Sequence, residues 1–186
     1  MSASDFHIVT QWRVKGTREE IIEIFKDIEG FTDWWPSVYL EITQIAAGDE
    51  HDIGSVYKLH TKGWLPYHLN WNLTVKETHF PDGSTITAEG DLNGQGSWTF
   101  EQDGEWVNVR YDWNIVLANW FKTFAFLMKP VFVWNHKWAM KQDEASLQLE
   151  LMRRRAASPE ERARIPAPPW PTFVRRPDTR RSSRLA

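Results

Sequence analysis

The sequence contains no cysteine among its 186 residues. Disulfides and thiolate chemistry are therefore both excluded, and a chain without thiols fits a reducing compartment. Long apolar runs are missing as well. The greasiest stretch, "WFKTFAFLMKPVFVW" at residues 120–134, is 15 residues long and carries Lys122, Lys129 and Pro130. That is too short and too charged to span a bilayer. The first residues, "MSASDFHIVTQW", have neither a basic leader nor an apolar core, so no secretory signal is expected and the reading is cytoplasmic. Basic charge is scarce over most of the chain. Residues 1–152 hold 12 Lys and Arg against 22 Asp and Glu, a net −10, whereas residues 153–186 hold 10 Arg against 3 acids, a net +7. An acidic body is a poor platform for phosphates, so no specific nucleic-acid partner is expected. The basic end is left as the one candidate for weak contact with anionic lipid. Catalytic and metal motifs are absent too. The six histidines show neither HExxH nor i,i+4 spacing, and "GQGSW" lacks the spacing of a nucleophile elbow. No metal, no cofactor and no catalytic residue is assigned.

What the sequence has in quantity is tryptophan, 12 in all. Their placement follows the periodicity of the elements. "FHIVTQWRV" (6–14) alternates and reads as a strand. "TREEIIEIFKDI" opens with a capping box, Thr17 and Glu20, and sets Ile21, Ile24, Phe25 and Ile28 on one helical face. Gly30 ends that helix, and "FTDWWP" makes a second short turn. From Val38 to Leu117 the pattern is of strands separated by turns, with Asn93-Gly94 and Asp103-Gly104 as hairpin signals. Val107, Val109, Tyr111, Trp113, Ile115 and Leu117 share one face of the last strand, Arg110 and Asp112 the other. An antiparallel meander with one dry and one wet face follows. A helix over roughly 119–155 comes next, in which Pro130 is expected to produce a kink or a break. Val133, His136, Met140, Asp143, Leu147 and Leu151 recur along it at helical spacing, with Asp143 interrupting the apolar stripe. After residue 155 only "SPEER" suggests a short helix. The prolines and arginines of 156–186 predict a disordered basic tail behind a 1–155 domain.

A strand, two short helices, a meander and one long C-terminal helix resemble the helix-grip fold of the START and SRPBCC superfamily. The resemblance is carried by "TREEIIEIFKDIEGFTDWWPSV", "LTVKETHFPDGSTITAEGDLNGQGSWTFEQ" and "WNHKWAMKQDEASLQLEL". "WWPSV" after a capped helix is similar to the bacterial polyketide cyclase/dehydrase-like branch. The resemblance implies an α+β fold in which a curved antiparallel sheet of about seven strands wraps around the long helix. It also implies a cavity between the two for a hydrophobic small molecule, lipid-like or polyketide-like. Binding or carriage is the first reading. A cyclase, aromatase or dehydratase is the alternative, and a membrane-surface or partner-binding module built on 120–134 and the tail is the third.

The candidate ligand-binding residues are Trp34, Trp35, Tyr57, Trp71, Trp98, Tyr111, Trp113, His136 and Met140. Trp34 and Trp35 stand either at the cavity rim or in the core under the sheet. Tyr57 and Tyr111 carry hydroxyls that need partners when buried, whether a ligand, a water or a carbonyl. His136 is a polar anchor or a proton-transfer group on the gripped helix, unless it bonds a strand or Asp143. Burying about 200 Å² of ligand against aromatic walls gives about 5 kcal/mol. That is short of the roughly 8 kcal/mol that micromolar binding needs, so a polar anchor is expected. The oligomeric state is not legible.

Overall fold

The structure is a computed structural model and describes residues 5–117 and 125–175. Strand β1 (Asp5–Lys15) is followed by helices α1 (Arg18–Lys26) and α2 (Phe31–Trp34). Six further strands come next: β2 (Tyr39–Ala46), β3 (Val56–Lys62), β4 (His68–His79), β5 (Gly83–Gly90), β6 (Leu92–Asp103) and β7 (Trp106–Leu117). Helices α3 (Ala125–Arg155) and α4 (Pro159–Arg164) complete the order. One seven-stranded sheet results, in the order β1-β7-β6-β5-β4-β3-β2, with every neighbouring pair antiparallel. The chain thus has the helix-grip α+β architecture that its element order implied.

Local chemistry sets the elements. The Thr17 backbone N–H donates to Glu20 Oε2 at 2.9 Å and the Glu20 N–H to Thr17 Oγ1 at 3.3 Å, which closes the capping box. Ile21, Ile22, Ile24 and Phe25 of α1 are buried. Arg155, at the end of α3, reaches Glu20 with contacts of 2.7 and 2.6 Å, which ties the long helix to α1. That guanidinium holds the Glu20 carboxyl down at about 2. Across the dry face the rings of Trp98 and Tyr111 stack at 3.9 Å and those of Tyr111 and Trp113 at 5.4 Å. On the wet face Arg110 pairs with Asp112 at 2.6 Å.

The fold differs from the sequence reading in three places. Asn93-Gly94 is not the two-residue turn of a hairpin. The last rung between β5 and β6 is Ala88–Gly94, so the reversal lies before it. Gly94 is needed because its φ is +152° and a Cβ there would stand 2.0 Å from the Asn114 carbonyl oxygen. Pro130 lies inside α3 without dividing it, so of the kink or break expected there the break does not occur. The expectation of a disordered tail from residue 156 does not hold through 175. Ser158 caps α4 by accepting the Glu161 N–H at 3.1 Å, Arg153 donates to the Pro166 carbonyl, and Pro171 is buried. Prolines that prevent regular structure also lower the entropy lost on docking, so they let this segment pack as an extended strap. The remainder of the predicted tail, 176–186, and the predicted helix start at 119–124 lie outside the described residues.

Candidate functional site

Among the described residues, two chambers open between the dry face of the sheet and the helices. The smaller chamber, about 120 Å³, lies where the long helix crosses the sheet. Phe6, Trp71 and Trp113 line its sheet side, and Phe132, His136 and Met140 of α3 face them. The larger, about 590 Å³, lies under α1 and α2. Its wall is built from Phe25 and Phe31, from Leu73, Val75 and Ile86 of the central strands, and from Trp98. Its mouth is formed by the Asp49–Asp52 loop with Lys26 and Phe80. Tyr39 and Tyr111 line both chambers and stand between them.

Trp35, Trp71, Tyr111, Trp113, His136 and Met140 line the smaller chamber, and Trp98 and Tyr111 the larger. The remaining two candidates stand apart. Trp34 lines neither chamber. It is 2% exposed, stacks behind Trp35 at 5.7 Å and meets Phe31 at 5.1 Å. A helix of four residues has room to present one indole to the hollow, while its neighbour in sequence turns into the core. Tyr57 also lines neither. Its hydroxyl is within 3.3 Å of Gln44 Nε2 and 3.4 Å of Asp52 Oδ2, so β2 and the β2–β3 loop meet its need.

The polar groups differ in how far their needs are met. The Nε2 of His136 lies 3.4 Å from Thr10 Oγ1 on β1, not against Asp143. Burial lowers its pKa to about 4, so the imidazole is neutral near pH 7. Asn135, its neighbour, accepts from the Leu65 N–H at 3.1 Å and donates to the Tyr67 hydroxyl at 3.2 Å. It thereby pins the β3–β4 connection over the smaller chamber. Burial pushes Tyr67 up to about 12 and raises Tyr39 and Tyr111 too. All three remain phenols and hydrogen-bond donors. Tyr111 is only 6% exposed and lines both chambers.

Asp143 was legible as a break in the apolar stripe, but its state was not. It is fully buried, and neither carboxyl oxygen has a partner among the described residues. Burial, reinforced by Glu144, raises its pKa well above the carboxylate range. Ser146, Ser37 and the indole N–H groups of Trp34 and Trp35 are likewise buried and unpaired among the described residues. The sequence reading missed Tyr39, Tyr67, Asn135 and Lys62 as lining residues. Lys62 and Asn135 gave no signal, since each sits where alternation or helical spacing allows a solvated residue. Tyr39 begins a strand whose later residues are exposed, which hid it.

The wet face holds one unexpected contact. His60 Nε2 and His68 Nδ1 meet at 2.7 Å across β3 and β4, yet among the described residues no group of three potential metal ligands forms.

No family model matches this chain, and no curated protein matches it. Solved structures do. An aromatase/cyclase, Zhui, from Streptomyces sp. R1128 superposes with a TM-score of 0.66 at 15% identity, covering 82% of this chain and 97% of its own. The protein TTHA0849 from Thermus thermophilus gives 0.65 at 14% identity, covering 81% and 100%. A START superfamily protein from Mycobacterium smegmatis gives 0.56 at 12% identity, covering 76% and 98%. The fold is therefore START/SRPBCC-like. Among the described residues no helix is long and apolar enough to cross a membrane.

Proposed function

We propose that the chain binds a hydrophobic small molecule whose body occupies the larger chamber and whose polar end meets the Tyr111 hydroxyl. The observation that carries this reading is the 590 Å³ chamber with an aromatic and aliphatic wall and the buried Tyr111 phenol in its lining. Ligand sites typically enclose about 300–1,000 Å³ with a few polar groups at fixed positions. The START/SRPBCC-like fold supports the reading without naming the ligand. A carrier is favoured over an enzyme by the state of the ionisable groups. A histidine with a pKa of about 4 is both unprotonated and weakly basic near neutrality, a poor acid and a poor base. Burial raises the Asp143 carboxyl well above the carboxylate range, and the residue lines neither chamber.

A neutral aromatic probe, 1-aminoanthracene, tests the proposal. It should bind the wild type with a fluorescence increase, and Ile86→Phe, which fills the larger chamber, should abolish the increase. Tyr111→Phe should weaken a carbonyl-bearing ligand about fivefold, the worth of one hydrogen bond of about 1 kcal/mol. Failure of the probe to bind the wild type, or binding unaffected in folded Ile86→Phe, would refute it. Native mass spectrometry of the protein purified from its host would identify the natural ligand.

A further inference from the structure

Three elements meet beside the smaller chamber and leave aromatic rings in solvent. The β3–β4 connection brings Trp64, α3 brings Trp134, and the segment after α4 brings Phe173. Trp64 stands against both others, with ring centroids 4.9 Å from Trp134 and 5.8 Å from Phe173. Trp134 is 48% exposed, Phe173 71% and Val174 39%. Such a cluster is costly in water, and the chain nonetheless holds it in place. Thr172 Oγ1 donates to the Trp64 carbonyl at 2.7 Å, and Lys62 Nζ, whose residue is only 2% exposed, donates to Thr172 Oγ1 at 3.0 Å and to its carbonyl. The Lys62 ammonium also lies 5.5 Å from the Phe173 ring. Phe173 itself has a φ of +61°, a conformation that a bulky residue adopts only when its surroundings impose it.

Basic residues flank this cluster on its own elements. Lys137 and Lys141 follow Trp134 at i+3 and i+7 on the exposed side of α3. Five arginines and one acid follow Val174 in the sequence, while residues 1–152 carry a net −10. A basic end on an acidic body orients the molecule in an electric field, and rings beside arginines are the residue types that settle at the level of lipid headgroups.

We propose that the Trp64–Trp134–Phe173 cluster is a docking surface for an anionic lipid bilayer. Lys62 and Gly63, next to Trp64, and Asn135, next to Trp134, line the smaller chamber. Docking therefore sets this side of the smaller chamber against the headgroups. The rings supply burial and the lysines and arginines supply attraction that weakens with added salt.

Co-sedimentation of the full chain with phosphatidylcholine vesicles, with and without phosphatidylglycerol, tests this. The wild type should sediment with the anionic vesicles only, and less as salt rises from about 0.1 to about 0.5 M. The double variant Trp134→Ser/Phe173→Ser should lose about tenfold or more in partitioning, because two exposed rings no longer enter the interface. Both positions are largely exposed, and circular dichroism checks that the variant folds. Phe173→Ser alone, on the strap, should give an intermediate loss. Two results overturn the proposal. One is no retention by anionic vesicles. The other is equal retention of wild type and double variant, which would make the contact one of basic charge alone. Concentration-dependent dimerisation abolished by the variant, without vesicle binding, would assign the cluster to a second copy and also overturn it. Binding of 1-aminoanthracene in solution is measured on the same samples, so the ligand site and the docking surface stand or fall separately.

Discussion

Replacing Asp143 by asparagine tests whether the interior holds an uncharged acid. Burial with no partner for either oxygen among the described residues raises this carboxyl well above 3.8, the value to which unfolding returns it. Between those two values the folded chain keeps a proton that the unfolded chain has released. Stability then falls by about 1.4 kcal/mol for each pH unit of rise. The contribution is complete below the unfolded value and is lost as pH rises through the folded one. His136 acts with the opposite sign. Burial lowers it from 6.5 to about 4, so in that window the unfolded chain holds the extra proton. Stability rises there by the same increment per unit, about 3 kcal/mol in all. Where the two windows overlap the two groups oppose each other, and any decline with rising pH reports Asp143. An asparagine side chain is isosteric with the protonated acid and has nothing to ionise. The melting temperature of Asp143→Asn should therefore gain on the wild type by roughly 3–6 °C per pH unit while the wild-type carboxyl keeps its proton. Thermal melts by circular dichroism from about pH 4.5 to about pH 8.5 measure the gap. His136→Gln is the mirror control, in which the decline should begin near pH 4. A gap between Asp143→Asn and wild type that stays constant with pH would refute the reasoning, since it would mean that Asp143 ionises equally well in both states.

Truncation after Ala157 should lower the melting temperature by several degrees, because it removes the strap that Lys62 and Trp64 hold; an unchanged melt would show that the strap adds nothing. Gly94→Ala should destabilise the fold by about 1–3 kcal/mol in urea titration, since its φ of +152° and the adjacent Asn114 carbonyl leave no room for a Cβ. Trp34→Phe should lower stability while leaving 1-aminoanthracene affinity unchanged, as Trp34 lines neither chamber. An altered affinity in Trp34→Phe would place this indole at the ligand.

Much of the fold was legible because its signals are local. Period-2 runs marked β1, β4 and β7, and the Thr17–Glu20 box marked α1 within a residue. The misread places are those where tertiary contacts outweigh local preference. Asn93-Gly94 has the composition of a hairpin turn, but the close approach of the β7 backbone at Asn114 claims that glycine instead. Residues 156–175 have the composition of a linker, yet Thr172 meets acceptors and a buried ammonium on β3 and the β3–β4 connection. Composition reports what a segment does alone, and this one is not alone.

The inward-facing residues were legible from the sequence, but the volume between them was not. Seven of the nine candidates line one chamber or the other, because strand alternation and helical spacing say which side chains point inward. They do not say whether the inward side chains meet. Opposite α3 they do: Trp71, Trp113 and Phe132 are large enough to leave only about 120 Å³. The greater space lies under α1 and α2, where β5 contributes Ser84 and Ile86 in place of rings. That difference depends on the register of Ile86 opposite Val75 and of Ser84 opposite Trp98, which no single strand discloses. The same limit applies to charge. Position alone made Asp143 an interruption in an apolar stripe. Only the packing of neighbouring elements around it removes water from both oxygens, and the loss of water is what turns an anion into a neutral acid.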